Sequence, residues 1–354
     1  MEDERSLRCL IAAGGTAGHV LPALAVAEAL RARGVEVTFA GSPERVEARL
    51  VADAGYPFDP FRVSGFPRRL GIGLISAAAQ SVAAPFACRA ILERRRPDVV
   101  LGGGGYVAGP MVLAAWTKRI PAALTEADAH LGLANRLASP FARRVFLAYP
   151  SGKERGVGRP IPSSSRVVPR DEARRELGLP LDGRVLLVAG ALAGARSLNE
   201  AAVEAFGEQG PAVLHLTGER DFELVRSRVA RDDYVVLPST ERFGAALGAA
   251  DLALARAGGS VWELAAAGLP AVLVPYPHAT ADHQARNAEH FERAGGAVVV
   301  PDSELERAVD VVRSLLGDEA ELAAMREAML GAARPDAADE IAEELVQLAA
   351  TARR

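Results

Sequence analysis

The chain has 354 residues, a formal net charge of −4, and a composition that is 49% hydrophobic but only 5% aromatic. That length exceeds one ordinary core and favours two domains, while the slightly acidic balance excludes a nucleic-acid partner recruited by bulk charge. Two cysteines, Cys9 and Cys88, without paired ligand spacing exclude a disulfide framework and a structural zinc site, and they fit a reducing compartment. Few aromatics and many Ala, Val and Leu suit parallel sheets covered by helices. The acidic start, Met1 to Arg5, and the short apolar run Leu7 to Ala13 differ from a signal peptide, and no stretch is long and apolar enough to span a bilayer, so a cytoplasmic location is expected.

In chain order, Leu7 to Ala13 reads as a buried strand, Gly14 to Gly18 as a turn, Pro22 to Arg33 as a helix and Val35 to Ala40 as the next strand. Strand, helix, strand follow again at Pro97 to Gly102, Gly109 to Thr117 and Pro121 to Thr125. Gly156, Gly158, Pro160, Pro162 and Ser163 to Ser165 mark a linker. A second alternation then begins: strand Arg184 to Gly190, helix Gly194 to Phe206, strand Ala212 to Thr217, and short strands at Tyr234 to Leu237, Leu252 to Ala255 and Ala271 to Pro275. From Glu321 to Arg354 the pattern is helical, interrupted at Pro335. The expected fold class is α/β, with two Rossmann-like halves. The expected division is 1–158 and 159–335, with a terminal helix, 336–354, packing back on the first domain.

The run Gly14, Gly15, Thr16, Ala17, Gly18, His19 lies between a strand and a helix, where glycines allow close backbone approach and a helix start favours an anion. It is neither a Walker loop nor a complete G-x-G-x-x-G fingerprint. His19, at the carboxyl edge of the sheet, is placed to accept a proton from a hydroxyl nucleophile, or merely to cap a helix. Gly102 to Gly105, before Tyr106, forms a second glycine loop, and two such loops suggest a rim kept clear for a bulky ligand. Glu126, Asp128 and His130 follow the strand at Pro121, where carboxylates could orient an acceptor hydroxyl or simply be solvated.

In the second half Gly190 and Gly194 straddle a turn that opens a helix. The most specific run is Arg256, Ala257, Gly258, Gly259, Ser260 before a helix carrying Glu263. Backbone amides and a guanidinium there suit a diphosphate, and Glu263 suits ribose hydroxyls. Gln284 and Asn287, three apart, share a helix face and offer amides to a sugar. His278 and His283 lack the spacing of a zinc pair, so no metal is expected.

On GGTAGHVLPALAVAEAL from Gly14, PDVVLGGGGYVAGP from Pro97, RAGGSVWELAAAGLPAVLVPYPH from Arg256 and ADHQARNA from Ala281, the whole chain resembles the MurG family of glycosyltransferases, glycosyltransferase family 28. The resemblance implies a GT-B fold, with sheets facing across a cleft, and metal-independent inverting transfer without a cofactor. The donor would be UDP-N-acetylglucosamine and the acceptor undecaprenyl-diphosphate-linked muramyl-pentapeptide. Gly15, Thr16, Ala17 and Gly18 would then line the reaction centre, with His19 as general base and Tyr106, Glu126 and Asn135 on the acceptor side. Gly194, Arg256, Gly258, Gly259, Ser260 and Glu263 would hold diphosphate and ribose, and Gln284 and Asn287 would read the amino sugar. Three runs depart from the family pattern: Glu126-Ala127-Asp128 replaces Glu-Gln-Asn, Gly190-Ala191-Leu192 replaces Gly-Gly-Ser, and Arg159-Pro160-Ile161 replaces Asn-Pro-Val.

A polyprenyl acceptor implies docking on the cytoplasmic face of an anionic membrane. The segment Phe66 to Arg96, with Leu70, Ile72, Leu74, Ile75 and Phe86 beside Arg68, Arg69, Arg89 and Arg94 to Arg96, reads as an interfacial or a packed amphipathic helix. Two other readings stand beside transfer to the muramyl lipid: transfer to another lipid or natural-product acceptor, and non-catalytic binding of a UDP-sugar.

Overall fold

The structure is a computed structural model that describes residues 6–63, 72–151, 156–190 and 193–353, with the backbone alone at 72–82 and 353. Leu70, Arg68 and Arg69 of the expected interfacial segment, the side chains of Ile72, Leu74 and Ile75, and the departures at Ala191 and Leu192 lie outside the described residues. The chain divides into two compact units, Met1–Pro162 with Pro335–Arg354, and Ser163–Arg334.

The first unit begins with β1 (Arg8–Ala12), α1 (Ala17–Ala32), β2 (Glu36–Gly41), α2 (Val46–Asp53) and β3 (Phe58–Pro60). It continues through α3 (Ile72–Arg95), β4 (Val99–Gly102), α4 (Ala108–Thr117), β5 (Ala122–Glu126), α5 (Leu133–Ala138) and β6 (Arg144–Leu147). The six strands form one parallel sheet in the order β3-β2-β1-β4-β5-β6. Central strands covered on both faces have no polar side to show, which is why Leu10, Ile11, Val100, Leu101 and Leu124 are all inaccessible. The chain order reverses between β1 and β4, so the loops following these strands flank the switch point where open α/β sheets take ligands.

The second unit repeats the plan with α6 (Arg170–Leu177), β7 (Val185–Ala189), α7 (Arg196–Phe206), β8 (Ala212–Leu216), α8 (Phe222–Arg226), β9 (Tyr234–Leu237) and α9 (Phe243–Ala249). Then come β10 (Leu252–Ala255), α10 (Val261–Ala266), β11 (Ala271–Leu273), α11 (His283–Arg293), β12 (Ala297–Val299), α12 (Leu305–Leu316) and α13 (Glu319–Ala332). Its parallel sheet runs β12-β11-β10-β7-β8-β9, with the switch point between β7 and β10. A buried ion pair, Arg174 Nη2 to Asp251 Oδ2 at 2.8 Å, clips α6 to the start of β10. Asp251 also accepts from the Val185 amide, so neither charge is left uncompensated.

After Pro335 the chain returns to the first unit as α14 (Ala337–Arg353). Ala338, Ile341, Ala342, Leu345 and Ala349 recur at three and four residues, one helical face, and all are buried in the core that includes Val26, Leu30 and Phe39. Arg33 pairs with Asp339 at 2.7 Å at the edge of this contact. Among the described residues no helix is long and apolar enough to cross a membrane.

Candidate active site

In the first unit the turn after β1 and the turn after β4 pack directly on one another. Gly15, Gly104 and Gly105 have φ of 91°, 97° and 73°, the left-handed region that glycine tolerates. A Cβ on Gly104 would stand 2.6 Å from Cδ2 of His19, and one on Gly105 would overlap the carbonyl oxygen of Gly14. The glycines expected to keep a rim open for ligand therefore serve close packing of two loops around the His19 ring.

His19 is half-buried in the first turns of α1, its Nδ1 3.2 Å from Thr16 Oγ1. Burial lowers its pKa from the ordinary histidine value; Asp128 and Glu126 push it up, Arg159 pushes it down, and a hydrogen bond with the Gly14 backbone raises it. The balance leaves a neutral imidazole at neutral pH, the form that can take a proton. Thr16 and Gly18 are exposed beside it, with Ala17 partly so. The ring of Tyr106 covers Gly15, and its phenol is held above the usual range by burial and by the charge of Glu47.

Glu126 is engaged within its own loop. Expected to contact the acceptor, it is 6% exposed, and its carboxylate accepts from the backbone amides of Ala127, Asp128 and Gly132 at 3.1, 3.4 and 2.8 Å. Asn135 supplies a fourth donor at 3.0 Å while its amide also binds the carbonyl of Thr125. Asn135 is itself buried, so this pair shapes the loop after β5 from beneath.

In the second unit the turn from Gly258 to Ser260 leads from β10 into α10. A Cβ on Gly258 would meet nothing within 4 Å, which leaves that backbone open to a ligand. Glu263 is half-buried, and its carboxylate accepts the hydroxyl of buried Ser165. Gln284, in the first turn of α11, accepts the Tyr276 amide through Oε1 at 2.9 Å and retains its amide nitrogen as a donor. Gly194 has φ of 72°, and a Cβ there would overlap the carbonyl oxygen of Thr217, so this glycine also serves loop packing.

Two further expected contact residues have partners within the protein. Arg256 is 6% exposed: Nη1 lies 2.7 Å from Asp302 Oδ1 and donates to the carbonyls of Val274 and Pro275, and Nη2 donates to Ser197 Oγ at 2.7 Å. Ser197 in turn donates to Asp302 at 2.9 Å. The guanidinium is a strut across the switch point, its charge matched by a carboxylate. Asn287 is inaccessible and donates to the carbonyl of Ala257 at 3.2 Å, so it supports the Gly258 turn from behind.

Sequence reasoning passed over Glu47, Ser197 and Asp302, and it noted Arg159 only as a departure. Glu47 is wholly buried, with Oε2 accepting from Gly15 and Oε1 from Ser42 at 3.1 and 3.2 Å. Nothing in its local run Pro43 to Leu50 marks it apart from other acidic residues of a helix start. Arg159 is buried and binds the carbonyls of Gly18 and Ala127 at 2.6 and 3.4 Å.

The sequence matches the glycosyltransferase family 28 N-terminal domain over residues 9–147 and the glycosyltransferase family 28 C-terminal domain over residues 185–341. A UDP-N-acetylglucosamine--N-acetylmuramyl-(pentapeptide) pyrophosphoryl-undecaprenol N-acetylglucosamine transferase of Acidithiobacillus ferrooxidans is 44% identical, covering 96% of this chain and 97% of its own. One of the same name from Salinibacter ruber is 38% identical over 98% of each chain. The crystal structure of Acinetobacter baumannii MurG aligns with a TM-score of 0.78 at 30% identity, covering 97% of this chain and 100% of that one. With two six-stranded parallel sheets of the same order, the fold is GT-B-like.

Proposed function

Because the chain belongs to glycosyltransferase family 28, we propose that it moves N-acetylglucosamine from UDP-N-acetylglucosamine to the C4 hydroxyl of the muramyl sugar of undecaprenyl-diphosphate-MurNAc-pentapeptide, the step from lipid I to lipid II in peptidoglycan synthesis. Near full-length relatives that carry this activity in their names support the choice of substrates. The observation that carries the chemistry is His19, a half-buried imidazole kept neutral at the switch point of the first sheet.

In this scheme the first unit, with α14, holds the acceptor and the second holds the donor. His19 takes the C4 hydroxyl proton as the oxygen attacks the anomeric carbon. The bond from that carbon to the UDP oxygen breaks on the opposite side, inverting the centre, and its electron pair leaves with UDP. The amides of Gly258, Gly259 and Ser260 meet the charge that develops on the diphosphate, a task for fixed backbone dipoles once Arg256 is committed to Asp302. Glu263 and the amide of Gln284 supply the remaining polar contacts to ribose and sugar. His19→Ala is expected to lower kcat by about three orders of magnitude while calorimetry shows UDP-N-acetylglucosamine affinity within about twofold of the parent; near-full turnover would remove His19 from this role.

A peripheral position on the cytoplasmic face of the membrane follows from the acceptor. Phe86, Trp116, Leu133 and Leu137 are exposed large apolar groups on α3, α4 and α5, and Arg89 and Arg136 stand among them. Helices α3 and α5 both pack on α4. Phe86→Asp with Trp116→Asp should abolish sedimentation with vesicles rich in phosphatidylglycerol; undiminished binding would place the membrane face elsewhere.

A further inference from the structure

Helix α1 contains Pro22 in its second turn. Proline has no N–H to return to the carbonyl four residues earlier, and its ring pushes that carbonyl outward. The carbonyl in question belongs to Gly18, the residue before His19. Its donor comes instead from Arg159, whose Nη2 lies 2.6 Å from Gly18 O. The same guanidinium reaches the carbonyl of Ala127 through Nη1 at 3.4 Å, on the loop that Glu126 organises. Arg159 is 7% exposed, and both of these partners are backbone carbonyls. It sits in a segment fixed by the Val157 amide, which donates to Leu147 O, and by Gly158 at φ of 88°.

We propose that Arg159 is a positioning residue for His19: it takes up the carbonyl that Pro22 orphans, locks the first turn of α1 to the loop after β5, and sets a buried positive charge beside the imidazole. This inference rests on the reading of His19 as the base, and it deepens that reading. The groups that face His19 are Asp128 and Glu126 from the β5 loop, Thr16 and the Gly14 backbone from its own turn, and Arg159 from the segment after β6. Of the charged groups, the two carboxylates favour the imidazolium, and Arg159 is the cation that opposes them. Without it the ring would hold its proton to higher pH and be spent as a base at the acid end of the working range.

Three variants separate the two parts of this role. Arg159→Gln removes the charge, Arg159→Lys keeps a charge without the fork, and Pro22→Ala restores an N–H to Gly18 O. In Arg159→Gln the His19 imidazole, titrated by NMR in the full chain, is expected to move up by about half a unit to one unit. The acid limb of kcat/KM should move with it, and kcat/KM on that limb should fall about three- to tenfold. Arg159→Lys should leave the limb in place. Adding Pro22→Ala to Arg159→Gln should restore thermal stability and leave the limb displaced, a result that loss of structure alone does not give. An unmoved imidazole titration and an unchanged limb in folded Arg159→Gln would overturn the proposal. A displaced titration together with full turnover by His19→Ala would instead uphold the electrostatic role of Arg159 and sink the assignment of the base.

Discussion

Glu47 shows how much of the site is made by residues that never reach its surface. Its two oxygens each accept a backbone amide, one from the turn that carries His19 and one from Ser42 at the end of β2. Glu47→Gln keeps the volume but turns one acceptor into a donor facing an N–H, leaving a buried amide unmet at a cost of about 1–3 kcal/mol. Urea unfolding should register that loss, kcat/KM should fall about tenfold through the loosened turn, and UDP-N-acetylglucosamine binding should stay as it was; an unchanged stability and rate would deny Glu47 its part. The glycine runs and His19 could be read from the chain because their conformational and chemical meaning is local. Arg256, Asn287, Glu126 and Asn135 were visible as polar groups near strand ends, but whether they face ligand or prop up a loop depends on partners distant in sequence. Asp302 is the clearest instance, since nothing in its own run points to Arg256. Arg159 had a signal in Pro22, a missing donor that some side chain had to replace.

Between elements, the second unit joins two strands and a helix through a buried polar group. His215 on β8 is inaccessible, with Nε2 3.0 Å from Asn199 Oδ1 on α7 and Nδ1 2.9 Å from the Tyr234 hydroxyl on β9. A carboxamide oxygen only accepts, so Nε2 carries the proton and Nδ1 accepts from tyrosine. Burial lowers this histidine to about 3. The unfolded chain, with its histidine near 6.5, therefore binds the proton first. Stability from this group is complete above about pH 6.5 and is lost as pH falls toward about 3, at up to about 1.4 kcal/mol per unit. Unfolding free energies from urea titrations between pH 6 and pH 4 should fall less steeply in His215→Gln than in the parent, by up to about 1.4 kcal/mol per pH unit; equal slopes would place the acid sensitivity elsewhere. The strand and helix alternation that defines both sheets was legible because central strands are unbroken apolar runs. The edge strands β3, β6 and β12 were not read: β3 is Phe-Asp-Pro and β6 opens on Arg144, so neither shows the unbroken apolar run that marks equally short β10 and β11.

At the scale of the whole chain, the first unit is closed by its last helix, so its core is assembled from both ends of the sequence. Leu345 and Ile341 are buried among Val26, Leu30 and Phe39, and a leucine truncated at such a site costs about 2–5 kcal/mol in lost transfer energy and cavity. Each unit carries one of the two tryptophans, Trp116 on α4, half-exposed with its ring 5.2 Å from that of Phe141, and Trp262 on α10, which makes fluorescence a reporter for each unit. In a Trp262→Phe background, Leu345→Ala should lower the unfolding free energy of the Trp116 urea transition by about that cost, with the midpoint falling accordingly. Removing residues 337–354 should go further and abolish the cooperative Trp116 transition, because it uncovers the apolar face of α1 that α14 occupies. A Trp116 midpoint that does not move in Leu345→Ala would mean that the terminal helix adds little to the first core, and transfer activity would then survive its deletion. Loss of the transition together with loss of turnover would show that the turn bearing His19 depends on residues added at the very end of the chain.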